Sequence, residues 1–546
     1  MKNKSSLRIL FLIIGIIAGV FIGVNWHKLP IGKLRTVFPG DKINSILYLI
    51  DNQYVDTVDT KQLIENAIPE LLAGLDPHSV YIPAKDLEDV NSELDGHFSG
   101  VGIQFSIQND TVNVVSVIGG GPSEKVGIQA GDRIIKVNDT LFVGSDITNE
   151  KVLKKLRGPK RTNVKLDIKR YSSKKLLTFE VTRDDIPVNS VDAAYKVAEG
   201  IGYIKIRLFG LKTYQEFLNA LTRLTQKEKC SKLIIDLREN SGGSLEAALS
   251  MVNEFLPEGD IILSTKGKAY PEESIEADGY GSCRNMPVII LTDEFSASAS
   301  EIFAGAIQDN DRGLVIGRRT FGKGLVQQQI ELSDHSAIRL TVARYYTPSG
   351  RSIQKPYENG SDKQYEMDLM NRYKKGEFDS QDSIKLDESL TFQTTSGRTV
   401  YGGGGVMPDI FIPRDTAGYT SYYHQLINEG ILYQFAFQYS DKHRESFNKM
   451  KDYKILLKHL ENNSYQLLEE LVSFAEQQKL RRRPVLIQVS ESLILNQLYA
   501  YIIRNQFGDE GFYPVFLRKD KTILRAIEEM NSEANFPPRS PIIKDK

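Results

Sequence analysis

Residues 288–291, Val-Ile-Ile-Leu, pass after Asp293 into Ser296-Ala297-Ser298-Ala299-Ser300, and then into a pattern in which Ile302, Phe303, Ala306 and Ile307 share one helical face. A buried strand followed at once by an amphipathic helix is the unit of a layered α/β domain, and here it sets Ser298 at the strand-to-helix junction. Backbone N–H groups and the positive end of a helix dipole are free at such a junction, and both favour the negative oxygen that develops in acyl transfer. Small neighbours leave room for a substrate. Each of Ser296, Ser298 and Ser300 also suits a helix cap, with Glu301 placed to help. The serines alone do not choose between cap and nucleophile.

Lys323 adds a partner. It stands between Gly322 and Gly324, in a turn joining the run 314–317 to the alternating run 326–332. Desolvation in an apolar site penalises an ammonium, so a lysine held there can take a proton from a serine at neutral pH. None of the histidines (His27, His78, His97, His335, His424, His443, His459) falls inside residues 293–327, and Ser298 has no G-x-S-x-G surroundings, which argues against a hydrolase-type nucleophile elbow. Residues 317–323, Gly-Arg-Arg-Thr-Phe-Gly-Lys, follow a phosphate-binding loop as far as Gly324. Such a loop needs Ser or Thr there to hold magnesium and a helix to follow, whereas 326–332 alternates like a strand.

The combination SASASEIFAGA (296–306), TFGKGLVQ (320–327), DLRENSGG (236–243) and YYTPSGRSIQ (345–354) resembles the carboxyl-terminal processing peptidases, or tail-specific proteases, between roughly residues 41 and 413. The resemblance implies a multidomain α/β protein with a crotonase-like β/α superhelix as protease core, an inserted PDZ domain and an N-terminal helical domain. It implies Ser298 as nucleophile, Lys323 as general base, Gln327 as the residue that orients the lysine, and an oxyanion hole from the N–H groups of Ala299 and Gly243. It implies no metal and no cofactor. Two positions depart from the family pattern: the acidic Glu239 within Arg238-Glu-Asn240-Ser-Gly-Gly, and Asp293 where Asn is common. Neither removes a catalytic group. A crotonase-like enzyme acting on thioesters is the other enzymatic reading, but it would not need Ser298 and Lys323 together.

The 546 residues, 41% hydrophobic and 25% charged, suffice for three or more domains, and a net charge of −1 offers no basic excess for nucleic acid. Residues 1–28 carry Lys2, Lys4 and Arg8 ahead of an uncharged apolar run, 9–24. This predicts a targeting segment with its N-terminus inside and the remaining chain exported. Trp26 and the lack of a small-x-small site favour an uncleaved anchor in the inner (cytoplasmic) membrane; the shortness of the run keeps a signal peptide open. Residues 29–96 read as a helical packing domain, with Ile43, Ile46, Leu47 and Ile50 on one face, and include LDPHSVY (75–81), where His78 reads as a turn residue. Residues 97–185 resemble a PDZ domain through Ser99-Gly100-Val101-Gly102-Ile103, similar to a carboxylate-binding loop, and more strongly through PSEKVGIQAGDRIIKVN (122–138). Such a loop captures a terminal carboxylate on free N–H groups while the peptide adds to a sheet edge. The plainer alternative is that Gly100 and Gly102 serve only a tight turn.

The core is expected at 186–415, alternating strands near 201–206, 232–237, 287–291 and 313–317 with helices. Within it, 355–388 is dense in charges of both signs and reads as an exposed insertion. Residues 416–546 are helical in pattern, an extra C-terminal domain suited to an adaptor, a homo-oligomer contact or a regulatory surface. Cys230 and Cys283 each precede a strand pattern, and a disulfide and two free thiols are equally open. The resulting expectation is a serine endopeptidase working outside the cytoplasm on proteins with exposed C-terminal tails. A non-catalytic PDZ scaffold with a dead protease core is the alternative, against which the intact Ser298, Lys323 and Gln327 weigh.

Overall fold

The computed structural model describes residues 42–532 except 109, 171–172 and 359–361. The chain divides into two compact units after Leu71. In the first, the expected helix forms over Lys42–Gln53, but none of its side chains is buried, and Ile43 and Ile46 remain exposed. A single amphipathic helix and one neighbour bury too little apolar surface to make a core. The apolar run 9–24 lies outside the described residues, and among those described no helix is long and apolar enough to cross a membrane.

The second unit is built on a six-stranded sheet whose strands lie side by side in chain order: β1 (Val191–Ala198), β2 (Ile201–Ile206), β3 (Lys232–Asp236), β4 (Val288–Thr292), β5 (Leu314–Gly317) and β6 (Ile410–Phe411). The β1–β2 pair is antiparallel and all later pairs are parallel. Unbroken apolar runs in β3 and β4 require cover on both faces, because alternate residues point to opposite sides. Val288 and Ile290 pack with Phe303 of α1 (Ala299–Asp309), and with Phe217 and Met251. Ile289 and Leu291 point the other way, into a core shared with Ile523, Ala526 and Met530 from the end of the chain. A second sheet pairs Val80–Ile82 and Leu325–Glu331 with Ala337–Tyr346, which continues to Ile261–Lys266 and Glu273–Glu276.

Between these parts, a PDZ sheet orders Ile103–Gln108, Thr111–Val117, Arg133–Val137, Asn163–Lys169 and Leu177–Thr182, with Ile103–Gln108 on an edge. The C-terminal region has a core of its own around α2 (Pro484–Phe516), which includes Leu432, Leu471, Leu498 and Ile503. Its last helix, α3 (Lys521–Asn531), covers the central sheet. The same region meets the PDZ part: Arg444 Nη2 donates to Ala130 O at 2.6 Å, and Arg133 lies 5.6 Å from the Phe437 ring. The C-terminal residues are thus built into the protein's packing.

Cys230 and Cys283 are free and buried. Although β3 and β4 are neighbours, the two cysteines sit in separate loops, the Cys230 backbone N–H donating to Leu224 O and that of Cys283 to Glu254 O. The segment 355–388 is largely exposed, as read, but Lys355, Tyr365, Arg372, Glu377 and Phe378 within it are buried. Its opposite charges pair with each other and with the lysine turn: Glu377 accepts from Arg319 at 2.6 Å and from Arg372 at 3.2 Å, while Arg372 donates to the carbonyls of Arg319 and Thr320.

Candidate active site

The three serines of the β4–α1 junction separate by environment. Ser296 Oγ donates to Leu237 O at 2.8 Å and Ser300 Oγ to Asn240 O at 2.9 Å, so both buried hydroxyls are spent in fastening the 236–243 loop. Ser298 is half-buried and lines a cavity of about 530 Å³. Its backbone is held at φ 55°, ψ −114°, in the left-handed half of conformational space that non-glycine residues avoid. Glu301 fixes this turn. Its Oε2 accepts from Ser298 N and Lys323 N, each at 2.8 Å, and its Oε1 from Gly322 N at 2.7 Å and Thr320 Oγ1 at 2.5 Å. The expected capping glutamate therefore ties the serine turn to the lysine turn. Burial raises its carboxyl to about 7 against the pull of those four donors.

Lys323 enters the same cavity from the turn before Leu325–Glu331. Its Nζ donates to Gln327 Oε1 at 2.8 Å, and Gln327 Nε2 donates in turn to His78 O. Burial lowers the Lys323 amine to about 8; the positive charge of Arg339 lowers it further, while Glu301 and Asp76 oppose. Tyr345 sits beneath both groups, its hydroxyl 3.0 Å from Ser298 O and 2.5 Å from Lys323 O.

Across the cavity, Gly242 and Gly243 bring backbone against the serine. A Cβ on Gly242 would stand 2.8 Å from Ser298 Cβ, and one on Gly243 2.2 Å from Phe209 O, so only glycine fits. The N–H groups of Gly243 and Ala299 donate to no acceptor among the described residues. Ser298, Lys323, Gln327, Gly243 and Ala299 are thereby all brought to one cavity, with apolar walls from Leu208, Leu245 and Ile302. This arrangement can hold a carbonyl between a hydroxyl, a partly deprotonated amine and two free N–H donors. The loop Gly100-Val101-Gly102-Ile103 lies apart from it, at the start of the PDZ edge strand; the N–H groups of Val101 and Gly102 likewise find no acceptor among the described residues.

Residues 200–364 match Peptidase family S41, 114–170 a PDZ domain, 32–86 the activating protease CtpB N-terminal domain, and 422–508 a family of unknown function. The carboxy-terminal-processing protease of Bartonella bacilliformis is 39% identical over 317 residues, 57% of this chain and 72% of that protein. The chain belongs to the carboxy-terminal processing proteases. A second relative, the carboxy-terminal processing protease CtpB of Bacillus subtilis, is 35% identical over 360 residues, covering 62% of this chain and 72% of its own. Among solved structures, the photosystem II D1 C-terminal processing protease aligns with 68% of this chain and 92% of that one at 25% identity, with a TM-score of 0.35. The protein is accordingly a serine-type processing protease carrying a PDZ domain.

Several residues that shape this processing protease's site were not expected from the sequence. His78 lies in a turn after the helix Thr60–Ala73, as read, and that turn supports the site. Asp76 accepts from His78 N, from Ser79 N and Oγ, and from Thr341 Oγ1, and this fastens the LDPHSVY segment beside the strand Ala337–Tyr346. His78 O is thereby placed to hold Gln327. Burial first, then the nearby Lys323 charge, lower the His78 imidazole to about 4, so it is neutral at neutral pH. Its Nε2 hydrogen-bonds with Tyr365 OH at 2.8 Å, from the segment read as an exposed insertion. Arg339 gave no signal because its part depends on cross-strand register, and Tyr365 none because it reaches the site from the helix Asp362–Glu366 of the charged segment; Tyr345 was marked only as the first residue of YYTPSGRSIQ.

Proposed function

We propose that this protease uses Ser298 as nucleophile and Lys323 as general base. Neutral Lys323 takes the Ser298 Oγ proton as the oxygen attacks a peptide carbonyl. The N–H groups of Gly243 and Ala299 hold the resulting oxyanion, and the lysine returns the proton to the leaving amine. Water, activated by the same amine, then releases the acyl-enzyme. Gln327, fixed by His78 O, orients the amine. The observation that carries this reading is Lys323, an amine lowered to about 8, held by Gln327 in the cavity that Ser298 and two free N–H donors also line.

Substrates are proteins with exposed C-terminal tails. A tail carboxylate would rest on the N–H groups of Val101 and Gly102, and the peptide would extend the sheet along Ile103–Gln108. The PDZ family match spans 114–170 and so does not include this loop. The basic flank and apolar run of residues 1–28 support an inner-membrane anchor, with the protease outside the cytoplasm.

The test compares the parent with Ser298→Ala and Lys323→Ala on a loosely folded substrate bearing an apolar C-terminal tail, following the cuts by time-resolved mass spectrometry. Cleavage by the parent alone is expected. A Ser298→Ala variant that cleaves at the parental rate overturns the assignment, and a parent that binds tail peptides without cutting supports the scaffold reading instead.

A further inference from the structure

The C-terminal region, whose family match carries no function, reaches the oxyanion loop through one ion pair. Arg238 lies in the loop between β3 and the two glycines. Its Nη2 donates to Asp236 Oδ2 at 2.6 Å and its Nε to Asp236 Oδ1 at 3.0 Å, while its Nη1 points away from Asp236 and donates to Asp520 Oδ2 at 2.8 Å. Asp520 is the N-cap of α3, and its Oδ1 accepts from Ile523 N at 2.9 Å. Packing of Ile523, Ala526 and Met530 against β4 and β5 holds that helix on the central sheet, so the carboxylate offered to Arg238 is fixed on both oxygens. The side chains of the pair are only 13% and 22% exposed, where an ion pair resists screening.

Arg238 transmits the contact to the site. Its backbone is bracketed by Asp236 Oδ1, which accepts its N–H, and by Lys205 Nζ, which donates to its carbonyl. The next residues run directly into the oxyanion donors: Glu239 at φ 64°, then Asn240, whose carbonyl accepts from Ala297 N and Ser300 Oγ and whose side chain accepts from Gly242 N, then Gly243. A tilt of the guanidinium would therefore be passed along a short loop, bonded at Arg238, Glu239, Asn240 and Gly242, whose far end is the Gly243 N–H.

We propose that Asp520 is a positioning residue for peptide hydrolysis, acting through Arg238 to set the Gly243 N–H against the oxyanion, so that the C-terminal region is a working part of the protease. The inference rests on the Ser298–Lys323 reading of the site. Oxyanion donors must lie about 2.7–3.1 Å from the oxygen on which charge develops, and removing one costs about 10²–10³ in kcat. Loosening one, with its N–H still present, is expected to cost about tenfold.

The experiment uses the full chain with Asp520→Asn, Asp520→Glu, Leu471→Val and Ser298→Ala. The readouts are kcat and KM separately, inhibition by a peptide aldehyde that forms a tetrahedral adduct, thermal midpoint, and hydrogen exchange of a peptide spanning 238–244. Asp520→Asn is expected to lower kcat about tenfold with KM within about twofold, to weaken the aldehyde in parallel and to speed exchange at 238–244. Asp520→Glu is expected to recover most of the loss. Leu471→Val, which thins the separate core around α2 without touching α3 or the ion pair, is expected to lower the thermal midpoint and leave kcat unchanged. Parental kcat and parental exchange in Asp520→Asn overturn the inference, as does Leu471→Val losing kcat in step with Asp520→Asn. If Ser298→Ala cleaves like the parent, the underlying dyad falls and this inference with it; if only the Asp520 variants behave like the parent, the dyad stands and this inference alone falls.

Discussion

At the residue scale, the pH response of the site follows from the charges around Lys323. Its ammonium loses its proton near pH 8, so the proton-accepting form grows as pH rises, and kcat/KM is expected to climb between about pH 7 and 9. Arg339 lowers the lysine and Glu301 raises it. Arg339→Gln removes a repelling positive charge, lets Lys323 keep its proton longer, and moves the ascending limb to higher pH. Glu301→Gln removes an attracting negative charge and moves the limb to lower pH, with a lower plateau because the bonds to Ser298 N, Gly322 N and Lys323 N are weakened. A pH–rate series on the three proteins checks the two signs; if neither limb moves, Lys323 is not the titrating base. Gly242→Ala is a second test at this scale. At φ 104° a methyl group would stand 2.8 Å from Ser298 Cβ and from Ala297 O, so kcat is expected to fall at least about 10²-fold while far-ultraviolet circular dichroism is unchanged.

At the element scale, α3 does for the outer face of the central sheet what α1 does for the inner one. Met530 and Ile523 are 2% exposed and Ala526 is wholly buried against β4 and β5. Met530→Ala is expected to cost about 2–5 kcal/mol, read as a lower midpoint in urea, and Ala526→Asp more, because an unpaired charge would be buried. A chain ending at residue 519 would bare Ile289, Leu291, Leu314 and Ile316 together, and is expected to precipitate or unfold when expressed. Recovery of a soluble, cooperatively unfolding protein from that truncation would contradict the shared core.

At the scale of the whole molecule, the C-terminal region holds the PDZ part as well as the protease sheet. Arg444 bonds Ala130 O and Asp441, and a Cβ at Gly131 would stand 2.6 Å from Arg444 Nη2, so the fit is close. Arg444→Ala removes a charged donor worth roughly 1.5–3 kcal/mol and leaves Asp441 buried without it. Hydrogen exchange across residues 128–133 is expected to quicken about tenfold or more, with α1 unchanged. Equal protection in both proteins would mean that the PDZ part is held by other contacts.

Local chemistry determined what could be read in advance. The junction at Ser298, the turn at Lys323 and the glycines at 242 and 243 each belong to a short segment whose pattern and φ requirements are written in consecutive residues, and the strands near 201–206, 232–237, 287–291 and 313–317 follow from apolar runs alone. The tertiary structure decided which distant residues meet. Helical periodicity announces an apolar face on α3 but not that β4 and β5 lie under it. A dense run of charges at 355–388 reads as solvated until Arg319, Arg372 and Glu377 are seen to pair. His78, Gln327 and Lys323 form one chain of hydrogen bonds only because Val80–Ile82 and Leu325–Glu331 both pair with Ala337–Tyr346. Contacts of that kind depend on strand register and on where long loops close, which no window of neighbouring residues encodes.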